Sequence, residues 1–316
     1  MHDTVHASAI RLPYPPCDDP AALLPSLAEW FGAERDRKTA TIALRCEDAA
    51  THGATDAEKR LASFAMRAVR AGVADRVTRD GDTLLVSTSR ATFWQHPSPW
   101  LTAPSSGGAA LRYVTQGGRR YPSRPPKPTG TVYRRYLPAL ASTFSLRTVD
   151  VSEDTERFHR WMNSERVARF WGLRGTREEH AAYLEAQCAD AHVHPLIGCF
   201  DDRPFAYFEV YWAKEDRIAP FYDAHDFDRG LHLLVGERDA HGPGKLHAWF
   251  NGVLHYMFLD DPRTQRIVGE PRIDNTRHIA YMHRLGAYTL KEFDFPHKRA
   301  ALIVLERDTF FTHHGP

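Results

Sequence analysis

The spacing of apolar residues divides the first hundred residues into short helices and strands. Helical spacing runs over residues 19–32 and 56–71, where apolar side chains recur every three or four positions. Residues 39–44 and 83–88 alternate like short strands. We therefore predict a small α/β domain at 1–120, which carries no evident chemical motif.

The chain from residue 143 onwards shows a longer alternation of elements. Apolar runs and a two-residue period predict strands, and a three-to-four-residue period predicts the helices between them. The strands are predicted at 144–149, 195–200, 205–211, 229–236, 266–270, 288–295 and 300–306, and the helices at 152–162, 176–189, 245–259 and 275–285. Thr176 and Glu179 have the spacing of a capping box, and Gly286 is placed to end the last helix. This order predicts a mixed sheet flanked by helices, in a domain at 143–316.

A proline-rich segment separates the two predicted domains. Four prolines fall within the seven residues 122–128. Because proline has no backbone N–H, such a segment is expected to run extended and outside any sheet. We interpret residues 121–142 as a linker strap.

Charge and cysteine usage narrow the class of protein. Lysine plus arginine number 41 and aspartate plus glutamate 40, so the near-neutral chain gives no reason to expect nucleic acid or a membrane as a partner. The N-terminal residues Met1–His6 lack the cationic start and apolar core of a signal peptide. The four cysteines form no C-x-x-C pair, which favours reduced thiols. We expect a cytoplasmic protein.

A carboxylate and a histidine stand out on two of the predicted strands. Glu270 ends the strand 266–270 just before a helix start, and such a position in an α/β protein faces a cleft where ligands bind. His232 lies within the apolar strand 229–236. Taken alone, His232 is more typical of a hydrogen-bonded interior histidine, and Glu270 is equally typical of an ion pair with a nearby arginine, Arg272 or Arg277.

Several long segments resemble one branch of the GNAT acyltransferases. They cover residues 160–163, 195–205, 208–218, 227–237, 270–275 and 291–298. These segments are similar to the siderophore acetyltransferases, most closely to those that act on N6-hydroxylysine in the aerobactin pathway. The resemblance is strong from about residue 130 to the end and weak before it. It implies a GNAT acyltransferase fold preceded by a smaller α/β domain, for which a degenerate GNAT-like unit is one interpretation.

The resemblance also implies an activity. Acetyl-CoA would acetylate the terminal hydroxylamine of N6-hydroxylysine directly, giving a hydroxamate. The catalytic pair proposed for the family maps onto His232 and Glu270. N5-hydroxyornithine, a hydroxylated diamine or another acyl-CoA are alternative substrates, and a CoA-binding partner of a siderophore synthetase is the non-enzymatic alternative. Association with other enzymes of a siderophore pathway is a further expectation.

Residues for the cofactor are expected around the end of the strand 229–236 and the helix start that follows it. The predicted set is Leu234, Val235, Gly236, Gly242, Gly244, Lys245 and Asn275, the last of which is first of all a helix N-cap. The glycine loop departs from the pattern of many GNAT proteins, because position 239 is Asp, Arg238 stands one place early and Pro243 removes an amide donor. We therefore expect this loop to bind the diphosphate in a less regular way than the usual GNAT loop.

Residues for the acceptor are expected on the neighbouring strands. The predicted set is His194, Glu209, Tyr211 and Asp216, with Glu209 or Asp216 meeting the α-amino group. Tyr207, Glu209 and Tyr211 share one strand face because they alternate, and a strand with one wet side is the alternative. No metal is expected, because the sequence has no H-E-x-x-H motif and no paired cysteine ligands.

Overall fold

A computed structural model describes residues 10–12, 19–33, 38–44, 54–81, 83–102, 110–295 and 298–314. The predictions made on Met1–His6, Cys17 and Cys46 lie outside these residues. The chain forms two compact units, of which the first reaches to Pro99 and the second begins at Trp100.

The first unit is a small α/β domain. Its four strands pair in the order β1-β2-β4-β3, with β1 and β2 parallel and the other pairs antiparallel. The strands are β1 (Ile10–Leu12), β2 (Thr39–Leu44), β3 (Arg76–Asp80) and β4 (Thr83–Ser89), and the helices are α1 (Leu24–Ala33), α2 (Ala54–Arg70) and α3 (Arg90–Gln95). Helical spacing brings Leu27 and Phe31 of α1 into the core, and the alternation of β2 buries Ile42.

The second unit is built on an eight-stranded sheet. The strand order is β13-β14-β12-β11-β10-β9-β8-β7, and β11 with β12 is the parallel pair. The strands are β7 (Thr131–Leu137), β8 (Ser142–Thr148), β9 (Val193–Phe200), β10 (Arg203–Trp212), β11 (Arg229–Val235), β12 (Arg266–Gly269), β13 (Tyr288–Phe295) and β14 (Lys298–Glu306). A separate two-stranded hairpin joins β5 (Tyr113–Gln116) to β6 (Arg119–Pro122).

Helices cover both faces of this sheet. They are α4 (Val151–Asn163), α5 (Glu165–Trp171), α6 (Arg177–Ala189), α7 (Pro243–Asp260) and α8 (Thr276–Arg284). Phe158 of α4 and Leu184 of α6 pack against Tyr207 on one face. On the opposite face, Trp249 of α7 lies 5.7 Å from Phe208, between ring centroids. Because Tyr207 and Phe208 are consecutive on β10, their side chains point to opposite faces of the sheet.

Local sequence signals of the second unit are confirmed. Thr176 and Glu179 form the predicted capping box at the start of α6. Gly286 ends the last helix with φ of 83°. The turn between β9 and β10 contains Asp201 and Asp202, both with positive φ.

The unit boundary lies earlier in the chain than the predicted linker. Residues 123–130 form no strand, as the prolines require, but the residues on both sides of them are paired. Tyr121 belongs to β6, and Tyr133 lies on β7, which pairs with β8 of the large sheet. The segment 121–142 is therefore part of the second unit, and the division falls between Pro99 and Trp100. The pairing of β7 with β8 is the physical reason, since it joins this segment to the sheet.

Candidate active site

The centre of the large sheet opens between β11 and β12. These parallel strands pair only at Arg229 with Ile267 and Gly230 with Val268, and diverge beyond that point. His232 and Glu270 each lie two residues further on, so their side chains emerge on the same face. His232 Nε2 lies 3.2 Å from Glu270 Oε1 across this opening.

A second carboxylate holds the other side of the imidazole. Glu209 on β10 is paired in register with His232, and its Oε2 lies 3.0 Å from His232 Nδ1. About a quarter of the His232 side chain is exposed, at 24%, whereas Glu209 and Glu270 expose 6% and 3%. The result is a carboxylate–imidazole–carboxylate chain whose central ring can be reached from solvent.

Tyrosine hydroxyls hold both carboxylates in place. Tyr183 and Tyr207 donate to Glu209 Oε1 over 2.5 and 2.9 Å. Tyr211 donates to Glu270 Oε2 over 3.1 Å. Because both oxygens of Glu209 accept hydrogen bonds, this residue serves to position His232. The predicted contact of Glu209 with a substrate amino group therefore does not fit the geometry.

Two cationic side chains lie near the Glu270 carboxylate. Lys298 Nζ donates to the backbone carbonyl of Glu270 over 2.6 Å and lies 3.7 Å from its Oε1. Arg217 Nη2 lies 3.9 Å from the same oxygen. Beyond β12 the backbone of this segment stays attached to β14, since Ala301 N donates to the Pro271 carbonyl over 3.0 Å. Glu270 is thus fixed at both its backbone and its carboxylate.

These contacts set the charge of the three groups. Desolvation lowers the pKa of His232, but the hydrogen bonds to Glu209 and Glu270 outweigh it and raise the pKa to about 9. Desolvation raises the pKa of Glu270, and His232, Lys298 and Tyr211 together bring it down to about 2. Glu209 has its pKa lowered, because His232 and two tyrosines outweigh its desolvation. At neutral pH, His232 is an imidazolium that donates both ring protons to carboxylates.

Gly230 makes room for the tyrosine that supports Glu270. A Cβ at Gly230 would lie 2.1 Å from the ring of Tyr211. The Tyr211 and His232 rings lie 4.7 Å apart between centroids. Tyr211, which the sequence predicted to face the acceptor, is buried and binds Glu270 instead of standing open to a ligand.

The edge of β11 that faces the opening offers backbone groups to a cofactor. Gly236 N donates to Phe205 O over 2.8 Å, and the register then directs Leu234 N–H and C=O towards β10. The backbones of Leu233 and Val235 therefore point away from β10, and their carbonyls accept from Trp171 Nε1 (3.3 Å) and Arg166 Nη2 (2.5 Å).

The register of β11 separates the predicted cofactor residues into those whose backbone faces the opening and those whose backbone faces β10. Val235 faces the opening as the prediction requires. The backbone groups of Leu234 and the N–H of Gly236 are used towards β10, so they do not face the opening, and the Gly236 carbonyl accepts from Arg166 Nη2 over 3.2 Å. Leu233 also directs its backbone to the opening, and it was not singled out because the sequence does not show which residues of a strand form the hydrogen-bonded pairs.

The predicted diphosphate loop lies at the N-terminus of α7. Gly242 is the N-cap residue without a side-chain cap, and Gly242 and Gly244 are both exposed. The amides of Gly244 and Lys245 belong to the first turn, which leaves N–H groups for an anion. Lys245 Nζ lies 5.7 Å from the Phe200 ring centroid. Asn275 caps α8 as predicted, its Oδ1 accepting from His278 N over 3.3 Å.

His194 is not part of this site. It pairs in register with Val210, so its side chain lies on the face opposite to Glu209 and His232. Its Nδ1 lies 3.1 Å from Tyr256 Oη of α7, and desolvation lowers its pKa to about 4. The prediction that His194 reaches the acceptor is corrected by the alternation of the strand.

Asp216 lies on the loop between β10 and β11 and is half-buried. Its Oδ1 accepts from Ile218 N over 2.9 Å. Desolvation raises the pKa of Asp216, with opposing effects from Ile218 N and His232. Asp216 thus remains a candidate for the acceptor, and Arg217 beside it was not singled out by the sequence.

Among the described residues, no three His, Cys, Asp or Glu side chains are grouped so as to hold a metal ion. Within the same residues, no helix has both the length and the apolar character needed to cross a bilayer.

Comparison with known proteins identifies the family. The acetyltransferase (GNAT) domain family matches residues 150–295. The N(6)-hydroxylysine O-acetyltransferase of Escherichia coli is 48% identical over 227 residues, which cover 72% of this chain and 72% of that protein. An N(5)-hydroxyornithine:cis-anhydromevalonyl coenzyme A-N(5)-transacylase of Beauveria bassiana is 45% identical over 198 residues, covering 60% of this chain and 43% of that protein.

A solved structure agrees with this match. An uncharacterized protein from Bacillus halodurans superposes with a TM-score of 0.55 at 28% identity, over 58% of this chain and 94% of that one. The fold, with its mixed sheet between helices, is the one the sequence predicted. The chain belongs to the acetyltransferase (GNAT) family, in its siderophore-type branch, and is an acyltransferase with acetyl-CoA as co-substrate.

Proposed function

We propose that this enzyme transfers the acetyl group of acetyl-CoA to the hydroxylamine nitrogen of N6-hydroxylysine, giving a hydroxamate for siderophore synthesis. The observation that carries the proposal is the Glu209–His232–Glu270 chain beside the opening between β11 and β12. The likeness to the Escherichia coli relative supports the acceptor.

The chemistry needs little activation of the nucleophile. A hydroxylamine is less basic than an amine and is largely unprotonated at neutral pH, so the site must chiefly align it with the thioester. As nitrogen bonds to the carbonyl carbon it becomes cationic and sheds a proton, while the C–S bond breaks and releases the CoA thiolate. Glu270 accepts that proton in our proposal. His232, already an imidazolium, holds Glu270 in position and passes a proton on towards the thiolate.

The cofactor is proposed to enter the opening as an added strand. Amides in the pantetheine arm can pair with the backbone of Leu233 and Val235, in the manner of a peptide added to a sheet edge. The diphosphate would then reach the first turn of α7 at Gly244 and Lys245. Asn275 caps the N-terminus of α8 and thereby stabilises this helix.

The position of transfer needs a direct test, because the name of the Escherichia coli relative, an O-acetyltransferase, places the acetyl group on oxygen. Thiol release from acetyl-CoA would be followed with N6-hydroxylysine, N5-hydroxyornithine and lysine. The product would then be mixed with ferric chloride, which forms a coloured complex with a hydroxamate and not with an O-acetyl hydroxylamine. We expect fast thiol release with N6-hydroxylysine and a coloured product.

Other outcomes of this assay separate the alternatives. CoA binding without thiol release for any acceptor would indicate a binding partner of a siderophore synthetase. Faster reaction with N5-hydroxyornithine would change the acceptor by one methylene, a difference that a pocket typically discriminates by about 10- to 200-fold. A cytoplasmic location, where acetyl-CoA is available, and association with other siderophore enzymes remain part of the proposal.

A further inference from the structure

The loop that follows β10 is tied down by a buried ion pair. Arg124 Nε and Nη2 donate to the two oxygens of Glu215 over 2.5 and 2.7 Å, and both side chains are only 2% exposed. Arg119 Nη1 donates to the backbone carbonyls of Glu215 and Asp216 over 3.2 and 3.3 Å. The hairpin β5–β6 and the proline-rich segment after it therefore fix the backbone on which Asp216 and Arg217 stand.

Arg217 extends from this fixed backbone towards Glu270 with its donors available. Its side chain is 55% exposed, and Nη2 lies 3.9 Å from Glu270 Oε1. Its guanidinium lies 5.9 Å from the ring centroid of Phe295. Within the described ranges its contact with Glu270 is an ion pair beyond hydrogen-bond distance, whereas the nearby Arg272 is bound to Asp274 over 2.8 Å. An arginine with five donors thus stands at the mouth of the site.

We propose that Arg217 binds the α-carboxylate of the acceptor, so that the enzyme selects hydroxylated amino acids over hydroxylated diamines. This inference rests on the proposed function and adds to it the class of acceptor. A guanidinium is suited to the task because its planar fork matches a carboxylate in a bidentate pair. Asp216, the adjacent residue, would take the α-ammonium group.

The charges around the site explain why such a residue is needed. Glu209, Glu270 and the imidazolium of His232 together carry a net negative charge. An acceptor with a free carboxylate would be repelled from this region. Lys298 Nζ lies 3.7 Å from Glu270 Oε1 and donates to the Glu270 backbone carbonyl over 2.6 Å, so its charge offsets part of that repulsion. Arg217 is more exposed, at 55%, and can offset the repulsion while pairing with the acceptor carboxylate itself.

The test compares two acceptors that differ in one group. N6-hydroxylysine and N-hydroxycadaverine have the same hydroxylamine and the same chain, but the second lacks the carboxylate. We expect Arg217→Gln to lower the ratio of kcat/KM for hydroxylysine over hydroxycadaverine by about 10- to 100-fold, the range for a charged hydrogen bond. Arg217→Lys, which keeps the charge without the fork, should give an intermediate ratio.

Arg299→Gln is the matched control, since Arg299 is equally exposed at 54% and pairs with Glu292. Its ratio should equal that of the wild type. An equal loss for both acceptors in Arg217→Gln would overturn the inference and make Arg217 a neutraliser of Glu270. Rates that stay at the wild-type level for both acceptors would also overturn it. Failure of the wild type to acetylate either acceptor would instead count against the proposed function.

Discussion

The ring of Tyr211 occupies the space that a side chain at Gly230 would fill, and its hydroxyl donates to Glu270 over 3.1 Å. Tyr211 and Gly230 face each other in register on β10 and β11. A glycine on a strand usually weakens it, so its presence here indicates a close approach of another group. The absence of a side chain at Gly230 thus allows the hydrogen bond that fixes Glu270, the proposed proton acceptor.

Gly230→Ala is expected to displace Tyr211, because the new Cβ would lie 2.1 Å from its ring. We predict a loss of at least about tenfold in kcat together with a lower unfolding midpoint. Gly252→Ala on α7 is the control, since its Cβ would lie 2.5 Å from the ring of Phe144 and should lower the unfolding midpoint without the loss in kcat. Steady-state assays and thermal melts of both variants check the prediction, which fails if the two variants behave alike.

Glu209→Gln is expected to change the protonation of His232 while leaving the ring in place. Glu209 is one of the two carboxylates whose hydrogen bonds raise the pKa of His232 to about 9. The amide still accepts a hydrogen bond but carries no charge, so the pKa of His232 should fall. We predict that the alkaline limb of the kcat/KM profile moves to lower pH by about one unit. A loss of activity with an unmoved limb would show that Glu209 acts by packing alone.

Stability should depend on pH through the same histidine. The pKa of His232 lies at about 9 in the folded state against 6.5 in an ordinary environment. Its contribution to stability is therefore complete below pH 6.5 and is lost as the pH rises through 9. Urea unfolding at pH 6 and pH 9.5 should show a larger decrease for the wild type than for His232→Gln. His283→Gln, at an exposed histidine, should keep the wild-type decrease.

Binding of CoA should protect specific amides of β11. Leu233 and Val235 direct their backbone groups away from β10, and Leu234 directs its own towards it. We predict that CoA slows hydrogen exchange at Leu233 and Val235, measured by NMR, and leaves the Leu234 amide as it was. Protection confined to the start of α7 would contradict insertion between the strands.

Local signals in the sequence were sufficient for most elements of the second unit. Thr176 and Glu179 predict a helix start by chemistry within one turn, and the two-residue period of β10 places Tyr207, Glu209 and Tyr211 on one face. The position of Glu270 at the end of a strand follows from the same patterns. These predictions depend on residues that are close in the chain.

Relationships between distant residues could not be predicted in this way. The point where β11 and β12 diverge depends on a pairing of only two residues in each strand. The His194 side chain lies on the face of the sheet opposite to His232, and this depends on the register of His194 against Val210. Arg217 lies in a loop held by Arg124, about ninety residues earlier in the chain, and no local period reports that contact. Long-range pairing likewise placed the segment 121–142 within the second unit.

The central claim is that His232 and Glu270 act together on the acceptor, and a double-mutant cycle tests it most directly. Single-turnover rates of thiol release with N6-hydroxylysine would be measured for His232→Gln, Glu270→Gln and the double variant, each checked for a native fold. Each single change should slow the reaction by about 10²- to 10⁴-fold. The double variant should be no slower than the slower single one, because the two residues act as a unit. Losses that multiply, or single variants with nearly full activity, would contradict the account.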